Sequence, residues 1–151
     1  MKQLHGTAHA DVARPIEECF AVLVAIDCYP LWCSELVRRV HVLERGDDGV
    51  PTRAETTLHV SHGPLAKDLD LLLAVRVQRP EVVQLTRVPY GPSDTEELDV
   101  IWRLEKHGET RVELDLHASL AVPRLVPLGG LGEALADRLV RSAVKTLQSG
   151  A

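Results

Sequence analysis

From Val40 to Ala121 the sequence alternates apolar and polar residues with a period of two, and from Leu128 it changes to a helical period. That switch constrains the fold more than any motif. An antiparallel sheet with one apolar face has to be covered, and the closing segment is the only one long enough to cover it.

The alternation divides into runs separated by turn-prone residues. Val40 and Val42 open a strand that turns at Gly46-Asp47-Asp48-Gly49 into a second, where Ala54, Thr56, Leu58 and Val60 alternate with Arg53, Glu55, Thr57 and His59. Ser61-His62-Gly63-Pro64 breaks the pattern. Four further strands are expected at Asp68–Val77, Val82–Val88, Leu98–Glu105 and Arg111–Ala121. In the last helix Leu131, Leu135, Leu139, Ala143 and Leu147 form one apolar stripe, with Arg138, Arg141 and Lys145 off it. Gly129-Gly130-Leu131-Gly132 reads as the hinge into that helix. It lacks the Lys-Ser/Thr of a phosphate loop, and Pro123 and Pro127 break the approach to it.

Ahead of the sheet, Leu4–Val12 alternates as a half-buried strand ending near Arg14. Pro15 then suits a first helical position, Glu17 and Glu18 suit a helix N-terminus, and Ile16, Phe20, Leu23 and Val24 form an apolar stripe, predicting a helix over Pro15–Ala25. A second short helix is expected over Tyr29–Leu36, opened by Pro30, with Trp32, Leu36 and Val37 at helical spacing. This segment concentrates a tyrosine, a proline and a tryptophan in a chain with 3% aromatic residues. The expected order is therefore α+β: a strand, two short helices, about six more antiparallel strands and a long C-terminal helix, in one domain over 1–151.

Composition narrows the function. The net charge of −5 and pI near 5.8 give no basic footprint, so no nucleic-acid partner is expected. No run reaches the length of a membrane span, and the N-terminus lacks a signal-peptide core, so a cytoplasmic protein is expected. Cys19, Cys28 and Cys33 are an odd set without a CxxC pair and read as small buried hydrophobes. The seven histidines show no HxH or HExxH spacing, so neither a metal nor another cofactor is expected. With few aromatics, the walls of any cavity would be aliphatic.

The chain resembles the START-like superfamily often called SRPBCC, and within it the polyketide cyclase/dehydrase and coenzyme Q-binding type proteins. The residues that carry the resemblance are Ala13-Arg14-Pro15-Ile16-Glu17-Glu18, Tyr29-Pro30-Leu31-Trp32, Gly46-Asp47-Asp48-Gly49, Trp102-Arg103-Leu104 and Gly108-Glu109-Thr110-Arg111-Val112, which occur in the family's order across nearly the whole chain. The resemblance implies a helix-grip fold, a curved antiparallel sheet of about seven strands wrapped around the C-terminal helix. It also implies a pocket between sheet and helix for a hydrophobic small molecule, lipid-like or polyketide-like. Candidate lining residues are Leu58, Val100, Leu114 and Leu116 from the strands and Leu135 and Leu139 from the helix.

By the same resemblance, pocket arginines of aromatase/cyclases fall on Arg76 and Arg87, while the place of their pocket tyrosine is taken by Leu36 and that of a polar last-strand residue by Leu116. Two registers compete for the strand carrying Arg76. Alternation alone favours an inward set of Leu69, Leu71, Leu73, Val75 and Val77, whereas the resemblance turns Asp70, Leu72, Ala74 and Arg76 inward. An inward Asp70 and Arg76 would need each other or a ligand group to offset their desolvation. Trp102 alternates inward with Leu98, Val100 and Leu104, lining the site or filling core, and Trp32 is a pocket-mouth residue or a plug for the second helix. Two functions follow: binding of a hydrophobic ligand by a monomer or homodimer, or a polyketide aromatase/cyclase catalysing aldol cyclisation and dehydration, with an arginine stabilising enolate charge.

Overall fold

The alternating runs pair into one seven-stranded antiparallel sheet of order β1-β7-β6-β5-β4-β3-β2, seen in a computed structural model that describes residues 2–122 and 128–149. The strands are β1 (Lys2–Val12), β2 (Val37–Arg45), β3 (Pro51–His62), β4 (Leu65–Gln78), β5 (Val82–Val88), β6 (Glu97–His107) and β7 (Glu109–Leu120). Between β1 and β2 lie α1 (Ile16–Val24), a 3-10 turn (Ile26–Cys28) and α2 (Tyr29–Trp32), and the described chain ends on α3 (Leu131–Ser149). This is the helix-grip architecture expected from the sequence. Pro123 and Pro127 lie outside the described residues.

Each strand forms because alternation gives it one apolar face. In β7, Val112, Leu114, Leu116, Ala118 and Leu120 are all buried while His117 faces solvent. The break expected at residues 61–64 is a turn between β3 and β4, but a tighter one, confined to Gly63 and Pro64. Pairing runs through to His62 opposite Leu65, and Gly63, at φ 57°, makes the tight turn that a side chain would resist.

The first strand closes the sheet against the last. Lys2 stands opposite Leu120 and Val12 opposite Thr110, so β1 lies at one edge and presents its inner face to α3. The approach is close at one point. A Cβ on Gly132 would collide with the backbone of His5, and one on Gly6 with the backbone of Gly132. Gly132 therefore serves helix seating, whereas Gly129 and Gly130 have open space where a Cβ would stand, and Gly130, at φ 80°, is a glycine for its turn geometry.

α2 is shorter than expected. It ends at Trp32, where the Cys33 N–H donates to the Tyr29 carbonyl at 2.7 Å and the chain turns. Leu36 lies outside the helix because the sheet claims its backbone: the His59 N–H donates to its carbonyl at 2.7 Å, and β2 starts at Val37. The second helix's expected last turn is thus exchanged for strand pairing.

Candidate functional site

Beneath α3 the sheet and helix enclose a void of about 70 Å³. All seven strands contribute to its walls: Leu4 of β1, Val40 of β2, Thr56, Leu58 and Val60 of β3, Leu69, Leu71 and Leu73 of β4, Leu85 and Arg87 of β5, Leu98, Val100 and Trp102 of β6, and Leu116, Ala118 and Leu120 of β7. Leu135 and Leu139 of α3 roof it, and Tyr29, Leu36 and Val37 close the side toward α2. An unfilled cavity of this size forgoes about 2 kcal/mol of packing at the ~24 cal/mol per Å³ found for engineered cavities.

The register of β4 follows alternation. Leu69, Leu71, Leu73 and Val75 turn inward, Asp70, Leu72 and Arg76 lie on the outer face, and Val77, expected with the inward set, is exposed where the strand runs out past the core. Asp70 accepts a hydrogen bond from Thr57 Oγ1 at 2.7 Å on that face, Arg76 is exposed opposite Gln84, and Leu72 is half-buried between Glu55 and Val88. The physical reason is desolvation: the other parity would bury two charges and expose four leucines and valines. Of the residues expected at the site, Leu36, Leu58, Arg87, Val100, Trp102, Leu116, Leu135 and Leu139 reach the cavity wall. Leu114 does not. It is buried opposite Trp102 and Ala8 as core. Trp32 also misses the wall, packing on the core with its ring 4.6 Å from that of Tyr29, which takes the lining position instead.

Arg87 is the one charged residue in the wall among the described residues. Its side chain is 5% exposed, and Asp94, from the segment between β5 and β6, holds it in a bidentate pair with Nη1–Oδ1 at 2.8 Å and Nη2–Oδ2 at 2.6 Å. Nη1 also donates to the Glu96 carbonyl at 2.8 Å. The hydrogen bond from Arg87, reinforced by the Tyr90 N–H, holds the Asp94 carboxyl down at about 2. This partner was missed at the sequence level. Its one sequence signal is an aspartate seven residues after the arginine in a loop.

Among the described residues, three polar atoms of wall residues are buried without a hydrogen-bond partner: Arg87 Nε, Thr56 Oγ1 and Trp102 Nε1. The Tyr29 hydroxyl donates to the Leu23 carbonyl at 2.5 Å, and burial pushes its phenol up. Its oxygen faces the Trp102 indole closely enough to favour the phenolate slightly, but outside hydrogen-bonding geometry. No wall residue among those described is a free carboxylate, imidazole or thiol. Cys19 and Cys33 are buried elsewhere, and Cys28, against expectation, is exposed at the end of the 3-10 turn.

On the outer face, strand pairing assembles a cluster that linear spacing hides. His5 and His117 are cross-strand partners with stacked rings at 4.3 Å, and Asp115 lies beside them, 3.1 Å from His5 Nε2. Arg103 Nη1 also donates to Asp115 at 3.3 Å, so the carboxylate is already shared. No helix of the described residues is long and apolar enough to cross a membrane.

A curved sheet closed on one helix over an aliphatic cavity defines a helix-grip, START-like domain. The chain belongs to the family described as polyketide cyclase/dehydrase and lipid transport, whose model matches residues 12–147. No match was found among curated protein sequences. Among solved structures, the chain is similar to a START superfamily protein from Mycobacterium smegmatis, at 13% identity and a TM-score of 0.76 over 98% of this chain and 99% of that one. It is similar to the Zhui aromatase/cyclase from Streptomyces sp. R1128 at 16% identity and a TM-score of 0.67, over 97% and 94% of the two chains. Ginseng major latex-like protein 151 from Panax ginseng is similar at 10% identity and a TM-score of 0.64, over 97% and 96%. At these identities the likeness is one of fold.

Proposed function

We propose that this chain binds a hydrophobic small molecule in the cavity between the sheet and α3. The observation that carries the reading is the wall itself: almost wholly aliphatic, roofed by Leu135 and Leu139, and left unfilled by the protein's own side chains. A ligand that fills it supplies the packing the core forgoes and removes its own apolar surface from water.

A second reading, an aromatase/cyclase, is favoured by Arg87 in the wall and by the fold shared with an aromatase/cyclase. Acid–base help for an aldol step is poorly provided. Leu36 and Leu116 stand in the wall where the resemblance to cyclases leads one to look for polar groups, Tyr29 is held by the Leu23 carbonyl, and Arg87 by Asp94. The binding reading is therefore preferred.

The test is native mass spectrometry of the purified protein beside Leu71→Trp, which fills the void from β4. The expected result is a co-purifying adduct on the wild type that the folded variant lacks. An adduct of equal occupancy on Leu71→Trp, with folding confirmed by circular dichroism, would remove the cavity as the site. Turnover of a poly-β-ketone substrate by the wild type, lost in Arg87→Lys, would favour the enzyme instead.

A further inference from the structure

We infer that the cavity selects an uncharged ligand, an aliphatic chain carrying an oxygen acceptor such as a ketone or ester carbonyl, over a carboxylate of the same length. This rests on the binding reading above and specifies the chemistry of the occupant.

The wall is short of acceptors. Arg87 Nε and Trp102 Nε1 can only donate, and Thr56 Oγ1 can do either, yet all three are buried without a partner. Buried donors left unpaired are costly, so an occupant that brings acceptors recovers what an alkane would leave unmade. The donors are also spread along the cavity. Trp102 stands opposite Val83, four residues before Arg87 on β5, so the two lie ~13 Å apart along the strand direction, with Leu85 and Val100 between them. That span suits a medium-length alkyl chain with its oxygen at one end.

The charge balance excludes an anion. Asp94 already neutralises Arg87 with both carboxylate oxygens, and the Glu96 carbonyl takes the second Nη1 hydrogen, so two of the five N–H groups remain for a ligand, the Nε–H and one on Nη2. A carboxylate seated here would add a second negative charge beside Asp94 in an aliphatic enclosure, with no second cation in the described wall to match it. A carbonyl adds none.

The experiment compares 2-undecanone, undecane and undecanoate by isothermal titration at pH 7.5, where the acid is ionised. The expected result is ketone affinity at least about tenfold above undecanoate and above undecane, in line with a hydrogen bond to a buried donor and an unmatched buried charge. Ketone binding should also move the Arg87 Nε–H proton downfield, assigned against Arg87→Lys, while undecane leaves it near its free position. In Asp94→Asn the arginine's charge is freed, and undecanoate should gain at least about tenfold while the ketone changes little. Should Asp94→Asn not fold, the wild-type ranking decides alone. Undecanoate binding as tightly as the ketone to the wild type overturns the inference and leaves the binding reading standing. Failure of all three to bind overturns both.

Discussion

Gly6 of β1 and Gly132 of α3 meet backbone to backbone, and a Cβ on either has no room. Their contact sets how deeply α3 sits in the sheet, and with it the height of the roof that Leu135 and Leu139 make over the cavity. Gly132→Ala should therefore lower stability by about 2 kcal/mol, the usual scale of overpacking, shifting Tm by roughly 4–8 °C for a domain of this size. Calorimetry checks it; an unchanged Tm would mean α3 rises without cost.

The outward side of β4 predicts a negative result. Asp70→Ala and Arg76→Ala should each change stability by less than about 0.5 kcal/mol, as for other exposed sites, and leave uptake of a cavity ligand within about twofold. Titration of either variant with the ketone measures it, and a large loss at Arg76→Ala would place that side chain at the site after all.

Acid should weaken the Arg87–Asp94 clasp. Because the Asp94 carboxyl is held at about 2, below its unfolded range near ~3.9, its contribution is complete above that range and is lost as pH falls from about 4 toward 2. Wild type should exceed Asp94→Asn in urea resistance at pH 7, and the gap should close across that acidic window. A gap independent of pH would show that the charge of Asp94 is not what holds the loop.

Thiol labelling should find one fast site per folded chain. Cys28 is exposed, whereas Cys19 and Cys33 are buried, and burial pushes both of their thiols up. With Ellman's reagent at pH 8, Cys28→Ser should abolish the fast phase, and denaturation of the wild type should release all three thiols. A fast phase surviving in Cys28→Ser would contradict the burial of the other two.

Much of the fold was legible because periodicity is local. Leu98, Val100, Trp102 and Leu104 face inward in β6 as their spacing predicts, and the parity of β4 follows its apolar set even where family resemblance pointed the other way. The end of α2 was not legible, since Tyr29–Leu36 carries helical spacing throughout. What ends the helix is a hydrogen bond from His59, a residue of β3. The same limit hid Asp94 as the partner of Arg87 and the grouping of His5 with His117, which depend on loop path and strand register.

Alternation in the strands and the apolar stripe recurring every four residues in the last helix were enough to determine that this chain makes a sheet closed by a helix, since each element has only one face it can bury. Which inward residues line the void, and which merely fill core, was decided by the tertiary structure. Trp102 and Leu114 face each other across β6 and β7 with equal hydrophobic claims, yet only Trp102 reaches the wall. That difference is set by the curvature of the sheet and the seating of α3 on Gly6, properties of several distant segments packed together rather than of any one of them.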